Sequence, residues 1–427
     1  MIQLLIIADD FTGALDAGVQ LAVRGAKTAV ITDAAADWSE SARDLDVLVV
    51  DAETRHLPTA QAYEIVFRIV TLAARLQVPY IYKKTDSALR GNVGAELSAV
   101  LHASGETQLP FLPAFPQIGR CTVKGVHYIQ GVPVDQSVFG KDPFEPVKQS
   151  RVDQLVASQT QDPVISLPAL TAGAQTPEQK GILVFDAESE EDLFATGHAL
   201  QKAGRLRIMG GCAGFAAMLP ELLDSCRGER HFTMPRLHER LLMLCGSVNP
   251  ITLTQLERAE QAGFLRLRMR PDQKLEPEYW ETPDGREQLE CWIAQLEQGG
   301  HAVIDSNDPG SNEPTAQYAR EQGLTLEQVR QRISGSLGQI LKAVHDHQVE
   351  GTLLITGGDT LKQCMDRLEV YQIEPLCELE PGVVLSRFAY QDVTRYVISK
   401  SGGFGSENLL VNLVNRLSQP VCSQYER

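Results

Sequence analysis

The chain has 427 residues, too many for one ordinary core and enough for two, and 43% of them are hydrophobic, so each half can bury an interior. A formal net charge of −16 argues against nucleic acid as the main partner, because phosphate neutralisation needs a basic surface, yet a few Lys and Arg side chains can still make a local positive field for a small anion. No apolar run reaches the length of a membrane span, and the first one meets Asp9 and Asp10, which argues against a signal peptide and for a cytoplasmic protein.

Residues 3–8 are a continuous apolar run suited to a buried parallel strand. Helical spacing follows over 14–24, with Gly25 where a C-cap would sit. Strands are predicted at 27–32, 46–50 and 80–83, a long helix at 59–76 and another from about Val93. Such alternation implies a parallel sheet with both faces covered. Residues 121–134 read as a hairpin turning at Lys124-Gly125, and 158–181, rich in Thr, Gln, Pro and Ala, as irregular chain. Strand character returns at 181–185 and 206–209. The polar stretch 227–240 places the domain boundary there, giving domains 1–232 and 240–427.

A second alternating run begins with a strand at 241–245 and continues with one at 301–304. A helix is predicted over 325–347, opened by a Thr325–Gln328 capping box, with Leu326, Val329, Ile333, Leu337, Ile340 and Val344 on one face. A strand at 351–355 runs into Thr356-Gly357-Gly358-Asp359-Thr360. The fold class is therefore α/β, two α/β domains with mainly parallel sheets. The eight cysteines are scattered without a C-x-x-C pair, which points to reduced, mostly buried thiols and away from zinc.

The polar residues collect after strands. Asp9 and Asp10 follow the first one, where paired carboxylates can bind hydroxyls, accept a proton or hold a metal's water shell; Asp10 or Thr12 as a plain helix cap weighs equally. Arg55 follows the third strand and can grip a carboxylate with two N–H groups, or form a surface ion pair with Glu53 or a neighbour. The densest polar segment, 83–92, carries Lys84, Thr85, Asp86 and Ser87 and suits an anion or a polyol. A solvated loop is disfavoured there, because three strand ends converge on one sheet edge.

In the second half, Gly246-Ser247, Gly357-Gly358 and Gly402-Gly403 form three small-residue turns. Each alone is ordinary turn chemistry; three in one domain suggest a nucleotide cleft, because glycine lets amides approach phosphate closely. No G-x-x-x-x-G-K-[ST] is present, nor a third glycine after Gly403 and Gly405, nor G-x-S-x-G, nor H-E-x-x-H, and the nine histidines form no metal-like cluster.

Taken together, Ala8 to Ala14, Lys84 to Asn92, Phe115 to Arg120, Gly246-Ser247, Thr356 to Thr360 and Ser401 to Gly405 resemble the four-carbon acid sugar kinase family, which includes D-threonate, D-erythronate and 3-oxo-tetronate kinases. The Lys-Thr-Asp-Ser-x-Leu-Arg-Gly segment is the most specific match. The resemblance implies an acid-sugar domain followed by a nucleotide domain, an active site in the cleft between them, and transfer of the ATP γ-phosphoryl group, with Mg2+, to a terminal hydroxyl. It implies that Asp10, Arg55, Lys84, Thr85, Asp86 and Ser87 hold the acid, and that Ser247, Gly357, Gly358, Asp359, Thr360 and Gly403 hold ATP. Asp359 is the first candidate for the catalytic base and Asp10 the second; the plain alternative for Asp359 is a helix cap. D-threonate is the leading acceptor. A non-catalytic sugar-acid sensor and a nicotinamide-dependent dehydrogenase are the competing classes. The partner is then a small sugar acid, with no nucleic acid and no membrane, and homo-oligomerisation is left open.

Overall fold

The computed structural model describes residues 2–34, 38, 44–142, 145–171, 173–226, 228 and 232–418. It divides into two compact units, residues 1–231 and 232–427. Among the described residues no helix is long and apolar enough to cross a membrane.

The first unit opens with β1 (Leu4–Ala8), five fully buried apolar residues. A strand covered on both faces has no reason to alternate, which is why the run is continuous. The chain continues through α1 (Phe11–Ala22), β2 (Thr28–Ile31), β3 (Val47–Asp51), α2 (Thr59–Arg75), β4 (Tyr80–Lys84), α3 (Val93–Ser104) and β5 (Gln108–Leu112). An antiparallel ribbon follows, of β6 (Arg120–Val123), β7 (Val126–Ile129) and β8 (Val132–Pro133). Lys124 and Gly125 have φ of 50° and 76°, the left-handed pair of a type I′ hairpin turn. Then come α4 (Val152–Ala157), β9 (Val164–Leu167), β10 (Gly181–Phe185), α5 (Glu190–Lys202), β11 (Ile208–Gly211), α6 (Ala213–Ala216) and α7 (Leu219–Leu222). The large sheet runs β2–β3–β1–β4–β11–β5–β10–β9 with every pairing parallel.

Two sequence expectations change here. The first helix starts at Phe11, not Ala14, because Asp10 caps it. The stretch 158–181 contains β9, a short half-buried strand on the sheet edge, where little apolar patterning is needed.

The second unit contains β12 (Leu241–Cys245), α8 (Pro250–Gln261), β13 (Leu265–Arg268), α9 (Pro271–Leu275), α10 (Pro283–Glu297), β14 (Ala302–Asp305), α11 (Glu313–Glu321), α12 (Leu326–Asp346), β15 (Thr352–Thr356) and α13 (Gly358–Arg367). An antiparallel meander, β16 (Gln372–Glu380), β17 (Val383–Tyr390) and β18 (Val393–Lys400), precedes α14 (Leu409–Leu417). Strands β13–β14–β12–β15–β18 are parallel. The Thr325–Gln328 capping box forms as expected, but the apolar stripe of α12 is buried only in part: Leu337, Ile340 and Val344 are in the core, whereas Leu326 is 62% exposed. Seven cysteines lie among the described residues, none in a disulfide and five of them buried.

Candidate active site

The first polar edge is set by strand register. Ala8 lies level with Asp51 on one side and Lys84 on the other, and Gly211 lies level with Lys84. Whatever follows these strands therefore emerges side by side at their carboxyl ends, the usual ligand edge of a parallel sheet.

Asp10 is both cap and network member. Its Oδ1 accepts the Gly13 N–H at 3.0 Å and pairs with Arg55 Nη2 at 2.8 Å. Its Oδ2 accepts the Thr12 hydroxyl at 2.9 Å and Arg55 Nη1 at 2.8 Å. Burial alone would raise this carboxyl; Arg55 and then Lys84 outweigh it and hold Asp10 below the usual carboxylate range. Arg55 Nε donates to Asp9 Oδ2 at 2.8 Å. The sequence reading that Arg55 offers its fork to a ligand is thus corrected: three of its five N–H groups are spent on Asp9 and Asp10. The ion-pair alternative is met by the neighbours Asp9 and Asp10 at the end of β1, as buried pairs and not as a surface one.

Lys84 differs. It is 4% exposed, and among the described residues no carboxylate lies within ion-pairing distance of its ammonium. The Nζ sits against Gly13: a Cβ there would come within 2.7 Å of it and 2.4 Å of Asp10 Oδ1. Glycine is needed at that position because the cation, the carboxylate and the first turn of α1 share one small space.

Asp86 is held by Arg90, with contacts of 2.7 and 3.2 Å, and Arg90 also reaches Asp142 at 3.1 Å. Burial works against the Asp86 charge, but Arg90 and Arg55 keep it well below its ordinary value. Ser87 takes a hydrogen bond from Arg120 on its hydroxyl and one from His127 Nε2 on its carbonyl, the latter at 3.0 Å. Because a carbonyl only accepts, His127 carries its proton on Nε2, and its Nδ1 accepts from the Thr122 hydroxyl at 2.9 Å. Burial brings His127 down to about 4, so it stays neutral and acts as a support for Ser87. Arg90 and Arg120 both face the Phe139 ring, at 5.2 and 5.0 Å from its centre. Thr85 is buried and donates both its N–H and its hydroxyl to Gly211 O. Beneath the edge, Lys83 pairs with Glu96 at 3.1 Å, both fully buried, and Thr54 also bonds Glu96. Sequence reasoning named Asp9 as half of a carboxylate pair and Arg120 only as the end of a matching segment, without their partners, and it missed His127 altogether.

The second unit repeats the arrangement. Cys245 lies level with Asp305 and Thr356, and Thr356 with Lys400. The turns after these strands are tied together: Gly246 N–H donates to Thr356 O at 3.3 Å, Gly357 N–H to Lys400 O at 3.2 Å, and Ser306 N–H to Cys245 O at 3.1 Å. Asn307 Nδ2 reaches Ser247 O at 3.1 Å and Asp305 Oδ1 at 2.8 Å, and Arg266 Nη2 holds Asp305 at 2.7 Å. Ser247, Gly357, Gly358, Asp359, Thr360 and Gly403 therefore all belong to one strand edge or the helix starts just beyond it. Gly357, with φ 102°, is the N-cap of α13 and Gly358 its first residue. Asp359 is consequently not the cap; its carboxylate pairs with Arg330, which also binds Glu327. Thr360 is buried, with its hydroxyl packed against Gly246. The Asp305-Ser306-Asn307 turn and Lys400 were missed, although each directly ends a strand.

A family model described as a sugar-binding N-terminal domain matches residues 4–219, and one described as a nucleotide-binding C-terminal domain matches residues 242–410. A D-threonate kinase of Salmonella typhimurium is 30% identical over 98% of this chain and 99% of its own length. The chain belongs to the four-carbon acid sugar kinase family. A D-erythronate kinase of Heliobacterium modesticaldum is 27% identical, covering 99% of each chain. A crystal structure from Salmonella typhimurium LT2, described as a tRNA synthase, superposes with a TM-score of 0.77 at 20% identity over 97% of this chain and 99% of that one, which establishes a shared fold. The protein is a kinase of this family, and the sensor and dehydrogenase alternatives are set aside.

Proposed function

We propose that this kinase transfers the γ-phosphoryl group of ATP to the terminal (4-) hydroxyl of a four-carbon sugar acid in the cytoplasm. D-threonate is the leading acceptor; D-erythronate and 3-oxo-tetronate are the alternatives. Lys84 is the observation that carries the reading. A buried ammonium whose nearest carboxylate, Asp10, is already claimed by Arg55 is costly to keep unless a further anion completes it, and a sugar-acid carboxylate is such an anion. Asp10, Thr85, Asp86 and Ser87, with Arg55 behind them, surround it with acceptors and hydroxyls suited to a polyol.

ATP is assigned to Ser247, Gly357, Gly358, Asp359, Thr360 and Gly403. Mg2+ would enter with the phosphates of ATP, since among the described residues no cluster of carboxylate, imidazole or thiol groups could hold it alone. Phosphoryl transfer is mostly positioning and charge stabilisation, with one residue taking the hydroxyl proton. We assign that proton to Asp359, whose side chain is 34% exposed and, among the described residues, has one cation partner, Arg330. Asp10 is less suited, because four hydrogen bonds and ion pairs already fill its lone pairs.

The assignment of Gly357 has a direct test. Valine at φ 102° is strained by about 1–3 kcal/mol and misdirects the amides that open α13. Gly357→Val is expected to weaken ATP binding by at least ~10-fold while calorimetric binding of the acid is kept. Unchanged ATP affinity would move the nucleotide elsewhere. The function itself is tested by ADP formation from Mg-ATP across D-threonate, D-erythronate, 3-oxo-tetronate and their stereoisomers. The expected result is a clear preference within this set, led by D-threonate; ADP release that none of these acids stimulates would sink the proposal.

A further inference from the structure

Lys400 ends β18 and is fully buried. Its Nζ donates to the Thr252 hydroxyl at 3.0 Å and to the carbonyls of Ser401 and Gly402 at 3.1 Å each. The Thr252 hydroxyl in turn donates to Gly402 O at 2.7 Å. Three donors meet three oxygens, so the ammonium is satisfied, but among the described residues no carboxylate neutralises it. In a planar trans peptide the C=O and the next N–H point in opposite directions. Drawing the Ser401 and Gly402 carbonyls toward Lys400 therefore turns the N–H groups of Gly402 and Gly403 away from it. Among the described residues neither of those amides donates to a backbone carbonyl.

We propose that Lys400 is a positioning residue for ATP: its ammonium fixes the Ser401–Gly402 turn so that two amides face the phosphates, and it places a positive charge directly behind them. The proposal rests on the nucleotide reading of this edge. Burial lowers Lys400 to about 8, so its charge is lost at mildly alkaline pH. The side chains facing its ammonium are Cys245 of β12 and Thr252 of α8, while Thr356 of β15 donates to its backbone carbonyl. Only Cys245 titrates, and burial, with Asp305 beside it, pushes that thiol far up, while Asp305 is paired with Arg266. A bound phosphate favours the charged ammonium, so affinity is lost as pH rises through about 8. The phosphates of ATP are already ionised at that pH.

The test is calorimetric titration of Mg-ATP into the full chain and into Lys400→Met at pH 7 and pH 9, with thermal melting as a folding control. Wild type is expected to bind roughly 10-fold more weakly at pH 9 than at pH 7. Lys400→Met is expected to bind about 10- to 100-fold more weakly at pH 7 and to lose the pH dependence. Should Lys400→Met fail to fold, Thr252→Val removes one of the three acceptors and is expected to give a smaller loss with the pH dependence kept. A folded Lys400→Met that binds like wild type, or a wild type equally tight at both pH values, overturns the proposal alone. A wild type that binds no Mg-ATP at either pH overturns the nucleotide reading and this inference with it.

Discussion

Lys84→Met is expected to raise the KM for the acid by about 10- to 100-fold with little loss of thermal stability, whereas Arg55→Ala is expected to lower stability by about 3–5 kcal/mol. Both cations are buried at the same sheet edge, and the family resemblance assigns both to the acid. Their surroundings separate them. Arg55 neutralises Asp9 and Asp10, so its removal leaves two carboxylates in a buried site, where Asp9 Oδ1 already has no hydrogen-bond partner among the described residues. For a unit of this size, a loss of that order corresponds to a melting shift of roughly 10 °C. Lys84 makes no ion pair among the described residues and only adds to the field on Asp10, so methionine of similar length removes a charge whose burial itself is costly and leaves Asp10 its Arg55 partner. The melting temperature and the acid KM of the two variants measure the contrast. A Lys84→Met variant with unchanged KM and kcat refutes the substrate role, and a fully stable Arg55→Ala refutes the internal role.

The second large effect is on catalysis. Asp359→Asn is expected to lower kcat by about 10²- to 10⁴-fold while both ligands still bind, because asparagine keeps the shape but cannot accept the proton. The structure sharpens this test. Gly357 occupies the cap position, so the substitution does not remove the cap of α13, and the ion pair it breaks with Arg330 is partly open to solvent. Near-normal kcat in Asp359→Asn, together with lost kcat and retained binding in Asp10→Asn, would place the base on the acid side. Binding of each ligand by calorimetry distinguishes a chemical defect from a lost subsite.

Much of this was legible before any coordinates. The run from Leu4 to Ala8 read as a covered strand, and its end at Asp9-Asp10 read equally as a ligand turn or a helix cap, of which the cap is observed. Lys84 to Asn92 announced itself by density of polar groups at a strand end, and Thr325 with Gln328 fixed the start of α12 through local chemistry alone. What stayed hidden depends on strand order and register, which a sequence does not encode locally. Arg55 reads as a ligand clamp until β3 is placed beside β1, which sets its guanidinium on Asp9 and Asp10. His127 lies on a ribbon whose contact with Ser87 spans 40 residues of chain. Lys400 reads as the last residue of a strand; its importance appears only when the carbonyls of the following turn are seen to bend back onto it. The antiparallel meander over 372–400 was unforeseen for a related reason, since its half-buried strands carry charged residues that mask their period.

The central claim is that a phosphoryl group passes from ATP to the terminal carbon's oxygen of a four-carbon acid. Proton-coupled phosphorus NMR of the product made from Mg-ATP and D-threonate tests it most directly. A phosphate on the terminal CH₂–O couples to two protons and is expected to appear as a new phosphomonoester triplet, growing in step with ADP. A doublet would place the phosphate on a secondary hydroxyl, and a signal of inorganic phosphate alone would mean hydrolysis without transfer; either contradicts the account.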